Sequence, residues 1–239
     1  MYQNEMGIMY DSEYLYIYND VNDPSPAENY NDPIVESDRA WNGDSIQLRI
    51  RTDRDLWLDV TYHHLVDKCL MAIHYWKANG VPKGGVNRVD YVSTTPHGGK
   101  LTPVRANSDA RFVKEGDAAE LYCKIREDKT GYVMEYKIRW DILFANPPEI
   151  KPGLQIQIGI DTNFGLTGKA GRNFYIQDNV ISGKFASPFF CNEYDSWGNV
   201  ILSPTGNVDT VRYIPDATLE TGNIPIDLTV PKDAQYATI

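Results

Sequence analysis

The chain has 239 residues, 42% of them hydrophobic, which is enough to bury a sizeable core within one large domain. Its 33 acidic residues outnumber its 23 basic residues, and the resulting net charge of −10 argues against binding DNA, RNA or anionic lipid headgroups. No apolar run approaches the roughly 20 residues of a membrane helix, and the opening MYQNEMGIMYDSEYLYIY lacks the profile of a signal peptide. We therefore expect no nucleic-acid partner and no membrane span, with the natural N-terminus upstream of Met1.

Period-two alternation of polar and apolar residues recurs along the chain, and helical periodicity is rare. Segments with this strand-like pattern are, in chain order, EMGIMYD, YLYIYNDV, DSIQLRI, DLWLDVTYHH, CLMAIHYW, AELYCKIRED, GYVMEYKIRW, LQIQIGIDT, NFYIQD and WGNVIL. Many short strands separated by Gly, Pro and Asn indicate an all-β fold, an antiparallel β-sandwich. We predict that this sandwich covers residues 1–203.

The segments between these strands are rich in turn residues, as in DPSPAENYNDP, KANGVPKGG and TPHGGKLTP. One short helical turn is predicted at WDILFANPP, with Asp141 as its N-cap and the proline pair ending it. Residues 204–239 are rich in Thr, Pro and Asp and alternate only weakly, so we predict an extended C-terminal strap or linker there.

The alternation also assigns side chains to the two faces of each strand, because neighbouring residues of a strand point to opposite sides. Around residues 44–50, 56–63 and 154–161, apolar side chains share one face and polar side chains share the other. The predicted polar members are Ser45, Gln47, Arg49, Trp57, Asp59, Thr61, His63, Gln155, Gln157 and Asp161. If these three strands adjoin, their amides and carboxylates form a polar shelf that backs onto the core.

Five blocks of the sequence resemble one known family in their order and spacing. The blocks are IMYDSEYLYIYNDVNDP, WNGDSIQLRI, GYVMEYKIRWDIL, KPGLQIQIGIDTN and WGNVIL, within residues 6–203. Together they resemble the family 9 carbohydrate-binding modules and their relatives with a DOMON-like sandwich of the jelly-roll type. The resemblance implies a sandwich that binds sugar without catalysis, as one module of a larger secreted protein located outside the cell or in the periplasm.

The resemblance also implies a set of sugar-binding residues. The Trp-x-x-Asp-Ser block of the family, whose tryptophan forms one wall of a sugar slot, corresponds to Trp41, Asp44 and Ser45. Three further positions depart from the family pattern, because they hold Gln47, Asp59 and Thr61. The second wall would fall to Phe189 or Phe190, since no tryptophan stands there in SPFFCNEYDSW.

Trp41 has two interpretations. An indole offers a flat, weakly hydrated surface for the C–H face of a pyranose, and polar neighbours on the shelf would bind the sugar hydroxyls. A tryptophan ahead of a strand is also often a lid on the core. We predict the first, with an oligo- or polysaccharide ligand, and we expect weak affinity that acts mainly by concentrating an attached domain.

Two other functions remain open from the residues alone. A glycoside hydrolase or lyase would need two carboxylates on a sugar-holding face, and Asp59 with Asp161 is the pair that strand parity supports. The second open function is a protein-interaction scaffold with no sugar site. It is supported by the polar positions that differ from the family pattern.

Metal and cofactor signals are weak. No cofactor is required by the sequence, but Asp20, Asp23 and Asp32 in one acidic loop are candidate ligands for a structural calcium ion. The spacings of the four histidines match no metal motif, and a haem slot is a minor alternative. Three distant cysteines are expected to be buried, inert thiols.

Overall fold

The structure is a computed structural model that describes residues 2–32, 35–36, 39–78, 81–106, 117–177 and 198–211. Within these ranges the chain forms thirteen strands and one short helix. The elements are β1 Gln3–Tyr10, β2 Tyr14–Asn22, β3 Ser45–Arg51, β4 Leu56–His63, β5 Lys68–Ala78, β6 Val81–Thr95, β7 Gly98–Ala106, β8 Ala119–Ile125, β9 Gly131–Arg139, α1 Trp140–Leu143, β10 Gln155–Leu166, β11 Lys169–Gln177, β12 Gly198–Leu202 and β13 Val208–Val211. No helix of these residues is long and apolar enough to cross a membrane.

The strands pair antiparallel in one sheet with the order β1-β2-β9-β8-β7-β6-β5-β4-β3-β10-β12-β13, and β11 pairs with β10. The two ends of this order meet, because Met9 bridges Asn207 and the Tyr10 amide donates to the Gly206 carbonyl oxygen at 2.8 Å. The sheet therefore curls until its halves face each other across one core. The predicted all-β antiparallel sandwich is confirmed.

The core is built by the apolar faces that the alternation predicted. Ile46, Leu48 and Ile50 of β3 are fully buried, as are Leu58 and Val60 of β4. They join one cluster with the inward side chains of the opposite half of the sheet, which include Leu15, Ile17, Leu121, Tyr136 and Ile138. Because inward residues are apolar on both halves, the polar residues of each strand are left to point away from the core.

Strands β6 and β7 are not among the segments with strand-like alternation. Segment TPHGGKLTP was read as a turn, but only its first part is one, and residues 98–106 form β7. His97 and Gly98 make the reversal possible through positive φ angles of 58° and 132°. Glycine and proline indicate the turn correctly, but they also occur within β7, so the strand after the turn was not predicted.

The short helix begins two residues earlier than a capping Asp141 would require. Its N-cap residue is Arg139, which makes no side-chain capping bond, and Asp141 lies in the first turn. The Asp141 carboxylate instead accepts a hydrogen bond from the Arg139 guanidinium at 2.6 Å. The helix was predicted correctly, but the cap was wrong because the aspartate lies inside the helix and is engaged in an ion pair with Arg139.

The C-terminal part of the chain is described as far as residue 211. Residues 204–207 form a turn, and β13 pairs with β12 in register Leu202–Val208 to Asn199–Val211. Residues 212–239 lie outside the described residues, so the division into a sandwich at 1–203 and a strap at 204–239 stays a prediction.

Candidate functional site

The predicted shelf exists as a polar face on the outer side of β10, β3, β4, β5 and β6. Gln47 sits opposite Asp59 in the β3–β4 ladder and opposite Asp161 in the β3–β10 ladder. Two further ladders continue the row across the sheet, pairing Asp59 with Ala72 and Ala72 with Asp90. We call the buried side chains Gln47, Arg49, Asp59, His74, Arg88, Asp90 and Asp161 the polar face.

Ion pairs satisfy much of the charge on the polar face. An Arg49 guanidinium nitrogen lies 2.8 Å from a carboxylate oxygen of Asp161, and the side chains of both are at most 6% exposed. Arg88 and Asp90 form a second buried pair at 2.8 Å. Charges removed from water in this way need such partners, because an unpaired buried charge would strongly destabilise the fold.

The centre of the polar face is a chain of contacts from Gln47 to Trp57. The Gln47 amide donates to Asp59 Oδ1 at 2.7 Å, and Asp59 Oδ2 lies 3.5 Å from His74 Nε2. The His74 ring stacks on Trp57, with centroids 4.3 Å apart and an interplanar angle of 22°. Gln47 and Asp59, two of the predicted sugar ligands, therefore hold each other in place.

Trp41 lies beside this face, in the loop that precedes β3, and its side chain is partly exposed. Buried amide side chains fix the backbone on either side of it. Asn29 donates to the Ala40 carbonyl oxygen at 2.8 Å, and Asn31 donates to that of Asn42 at 2.9 Å. A Cβ on Gly43 would come within 2.6 Å of Asn29 Cγ, so this close approach requires glycine. The loop is thus held in one conformation.

Strand β11 closes the other side of the Trp41 loop. The Gly171 amide donates to the Asn42 carbonyl oxygen at 3.2 Å, and the Arg172 amide donates to Asn42 Oδ1 at 3.0 Å. The Arg172 guanidinium lies 5.0 Å from the centroid of the Trp41 ring, within the range of a cation–π contact, and also donates to Asn163 Oδ1 at 3.0 Å. The alternation of the sequence did not predict the position of Arg172. This residue lies just after a turn, where the pairing of β10 with β11 shifts register.

Thr61 of β4 is fully buried and is hydrogen-bonded to the loop that carries Trp41. Its hydroxyl donates to the Asp44 carbonyl oxygen at 2.6 Å and accepts a hydrogen bond from Asn29 at 3.0 Å. Its predicted contact with a ligand stays a prediction, as do those of Trp41, Gln47 and Asp59. The other predicted wall, Phe189 or Phe190, lies outside the described residues.

The carboxylates of the catalytic alternative lie on the polar face, with Gln47 between them in the register. Both are engaged by neighbours, Asp161 by Arg49 and Asp59 by Gln47 and His74. These contacts keep the two groups in an ordered polar layer rather than beside an open cleft, since Asp59 is fully buried and Asp161 is 4% exposed.

A second carboxylate pair is formed by Asp23, which follows β2, and Asp44, which precedes β3; both are buried and close enough to repel each other. Asp44 accepts hydrogen bonds from the Glu28 amide at 2.7 Å and from the Gly165 amide. Burial, followed by repulsion from Asp23, raises the pKa of Asp44 to about 8. Asp23 Oδ1 accepts from the Ser25 amide at 2.9 Å, whereas its Oδ2 has no hydrogen-bond partner among the described residues.

The other acidic residues of the predicted calcium loop lie elsewhere. Asp20 pairs with the Arg126 guanidinium, and the exposed Asp32 accepts a hydrogen bond from the Val35 amide at 3.0 Å. Within the described ranges no group of three His, Cys, Asp or Glu side chains is arranged to hold a metal ion. Of the three predicted ligands only Asp23 belongs to the buried pair, and its partner Asp44 comes from the block assigned to sugar binding.

The described cysteines are buried as expected. Cys69 and Cys123 are free thiols, and burial raises the pKa of each, that of Cys69 to about 12. Both therefore stay protonated and unreactive at neutral pH. Cys191 lies outside the described residues. Burial also lowers the pKa of His63 to about 4, so its imidazole is neutral at physiological pH.

Comparison with known proteins returned solved structures alone. No protein-family profile and no curated protein sequence matches the chain. A family 9 carbohydrate-binding module from Caldicellulosiruptor kristjanssonii, solved with cellotriose, is 15% identical with a TM-score of 0.45, over 85% of this chain and 76% of that one. The same type of module solved with glucose is also 15% identical with a TM-score of 0.45, over 83% and 75%. A carbohydrate-binding protein assigned as putative, from Bacteroides uniformis, is 8% identical with a TM-score of 0.39, over 84% and 78%.

Proposed function

We propose that this chain is a non-catalytic carbohydrate-binding module in which a sugar ring stacks on Trp41. The observation that carries the proposal is a partly exposed tryptophan whose flanking backbone is fixed by buried Asn29 and Asn31. A tryptophan that only covered the core would not require such support for its loop. Because the loop already fixes the indole ring before a ligand arrives, the ring loses little conformational freedom on binding, which favours recognition of a small ligand.

The groups around Trp41 suit the hydroxyls of a sugar. Arg172 beside the ring offers donors to the hydroxyls, whereas Gln47 and Asp59 are buried and bonded to each other, so in this proposal they serve by ordering the polar face on the adjoining strands. In this proposal Thr61 acts mainly by anchoring the loop, and Phe189 or Phe190 supplies an opposing wall. The net charge of −10 favours neutral over anionic polysaccharides.

The proposed setting follows from the resemblance of the five sequence blocks to family 9 carbohydrate-binding modules. A module of this kind would work outside the cell or in the periplasm, attached to other domains of a longer protein. Its small contact surface gives weak affinity, and its effect would come from raising the concentration of the attached domain at a polysaccharide.

Trp41→Ala should weaken the binding of soluble oligosaccharides without unfolding the chain, because the residue is partly exposed and outside the core cluster. We expect the affinity to fall at least about tenfold, the loss of one aromatic contact with a sugar face. Titration calorimetry with gluco-, xylo- and manno-oligosaccharides measures this. Leu65→Ala, which removes a side chain that is 64% exposed, is the matched control and should bind as the wild type does.

Two outcomes would contradict the proposal. Equal binding by the wild type and Trp41→Ala would return Trp41 to a packing role. Cleavage products in the same mixtures, lost in Asp59→Asn or Asp161→Asn, would instead support the catalytic alternative. If the folded wild type bound no oligosaccharide, the interaction scaffold would remain.

We also propose that Asp23 and Asp44 hold a calcium ion. Hard cations prefer oxygen ligands, and Oδ2 of Asp23, one member of this buried pair, has no hydrogen-bond partner among the described residues. The Tyr132 hydroxyl, buried and without a hydrogen-bond partner among the described residues, is near enough for both carboxylates to raise its pKa, after the larger effect of burial. A cation there would neutralise two carboxylates that otherwise repel each other.

Calcium should raise the thermal midpoint of the wild type above that measured in EDTA. A ligand at about one hundred times its dissociation constant stabilises the folded state by about 2.7 kcal/mol, and for a chain of this size each kcal/mol is worth roughly 2–4 °C. Thermal unfolding monitored by circular dichroism at about pH 8 measures the shift. Asp128→Asn, which changes an exposed acid, should keep it and Asp23→Asn should lose it. An unchanged midpoint in the wild type would overturn this assignment.

A further inference from the structure

The sheet half formed by β2, β9 and β8 carries a row of exposed side chains on its outer surface. Tyr18 lies opposite Glu135 in the β2–β9 ladder, and Glu135 lies opposite Tyr122 in the β9–β8 ladder. Directly paired residues of an antiparallel ladder point to the same side of the sheet. Tyr18 is 38% exposed and Tyr122 is 49% exposed, and Glu135 is exposed as well. We call these three residues the outer tyrosine row.

Glycines stand at both ends of the outer tyrosine row. Gly7 of β1 pairs with Tyr18, and Gly98 of β7 pairs with Tyr122. At Gly98 a Cβ would come within 2.2 Å of the Leu121 carbonyl oxygen, so the position admits no side chain. The row therefore runs across the sheet without a flanking side chain at either end.

An open groove of about 700 Å³ adjoins the row. Tyr122 and Glu135 line it together with Val133, Lys124 and His97. Its volume lies within the range of small-ligand sites, and its wall combines an aromatic ring and an aliphatic side chain with a carboxylate, an ammonium group and an imidazole. This mixture suits a ligand that has both apolar faces and many hydroxyls.

We propose that the outer tyrosine row is a second carbohydrate-binding surface, which takes an extended, neutral polysaccharide chain. Tyr18 and Tyr122 are separated by two strand spacings, about 9.5 Å, which is close to the length of one disaccharide unit of an extended glucan. Alternate sugar rings would then meet the two tyrosines, while Glu135 between them accepts hydrogen bonds from hydroxyls. An anionic polymer is disfavoured by this carboxylate and by the net charge of −10.

This surface lies on the opposite side of the core from Trp41 and the polar face. Inward residues of both sheet halves share one cluster, so their outward residues point in opposite directions. One molecule would thus contact two polysaccharide chains, or one insoluble surface through the outer tyrosine row alone. The ligand class is that of the proposed function, but the residues are independent of it.

Depletion from suspensions of microcrystalline cellulose, insoluble xylan and insoluble mannan tests the proposal. We expect the double variant Tyr18→Ala/Tyr122→Ala to lose about tenfold or more in affinity for the polymer that the wild type binds, with soluble oligosaccharide binding unchanged. Tyr18→Phe/Tyr122→Phe keeps both rings and should retain most of the affinity. Leu65→Ala again controls for loss of an exposed apolar side chain, and circular dichroism checks that each variant folds.

The outcomes separate the two binding surfaces. Undiminished polymer binding by the double alanine variant, with loss in Trp41→Ala, overturns the second surface and leaves the proposed function standing. Loss in the double variant together with no effect of Trp41→Ala on any sugar supports the row and contradicts the Trp41 site. A wild type that binds none of the polymers overturns the row.

Discussion

Asp23→Asn should stabilise the metal-free chain at about pH 8, by about 1–3 kcal/mol in the free energy of unfolding. The variant replaces a carboxylate beside the buried Asp44 with an amide that can donate a hydrogen bond to it. The gain arises because repulsion from Asp23 is, after burial, the largest cause of the raised pKa of Asp44.

The gain should depend on pH in a defined direction. Asp44 keeps its proton up to about pH 8 in the folded chain, whereas in the unfolded chain it loses the proton near its ordinary value of 3.8. The folded state binds more protons between these values, so the contribution of this group to stability is full below about pH 4 and is lost as the pH rises through about 8. Asn at position 23 weakens this decline.

Urea unfolding in EDTA at about pH 4, 6 and 8 measures the difference between the two proteins. The variant and the wild type should be similar at the lowest pH and diverge as the pH rises. Glu127→Gln, an exposed acid on the β8–β9 turn, should show no such divergence. A difference that is constant across this range would mean that Asp23 does not act through the protonation of Asp44.

Arg49→Met should destabilise the chain by about 3–5 kcal/mol, because it leaves the Asp161 carboxylate buried without its guanidinium partner. The measured quantity is the free energy of unfolding from urea titrations at neutral pH. The double variant Arg49→Met/Asp161→Leu should recover most of the loss, since apolar side chains of similar size can replace a buried ion pair.

An exposed ion pair provides the matched control. Lys151 and Glu149 lie 2.6 Å apart with side chains 62% and 76% exposed, so Lys151→Met should change stability by less than about 0.5 kcal/mol. If Arg49→Met were as mild as this control, the polar face would not depend on the buried pair for its order.

Strand parity predicted the polar face because it depends only on the alternation within each strand. Gln47, Asp59 and Asp161 were placed on one side by their spacing from buried Leu48, Leu58 and Ile160, and the ladders then brought them side by side. The shelf could form only if the three strands were neighbours in the sheet, and the observed order β4-β3-β10 makes them neighbours.

Other parts of the site could not be predicted, because they depend on how loops close. Asn29 supports the Trp41 loop across 11 residues of chain, and Arg172 reaches Trp41 from a strand that begins after position 168. The pairing of Asp23 with Asp44 joins the end of one strand to the start of another. No local pattern of residue types encodes such contacts.

The contact between β1 and the turn before β13 also bears on how one molecule could associate with another. A strand at the edge of a sheet offers unpaired amide and carbonyl groups to any similar strand that collides with it. Here the last two residues of β1 are partnered by the turn that precedes β13, through the Met9–Asn207 bridge and the Tyr10–Gly206 hydrogen bond. Loss of Gln3–Tyr10 would leave the β2 edge without its partner strand, giving each molecule an open edge at which a strand of another copy could add to the sheet.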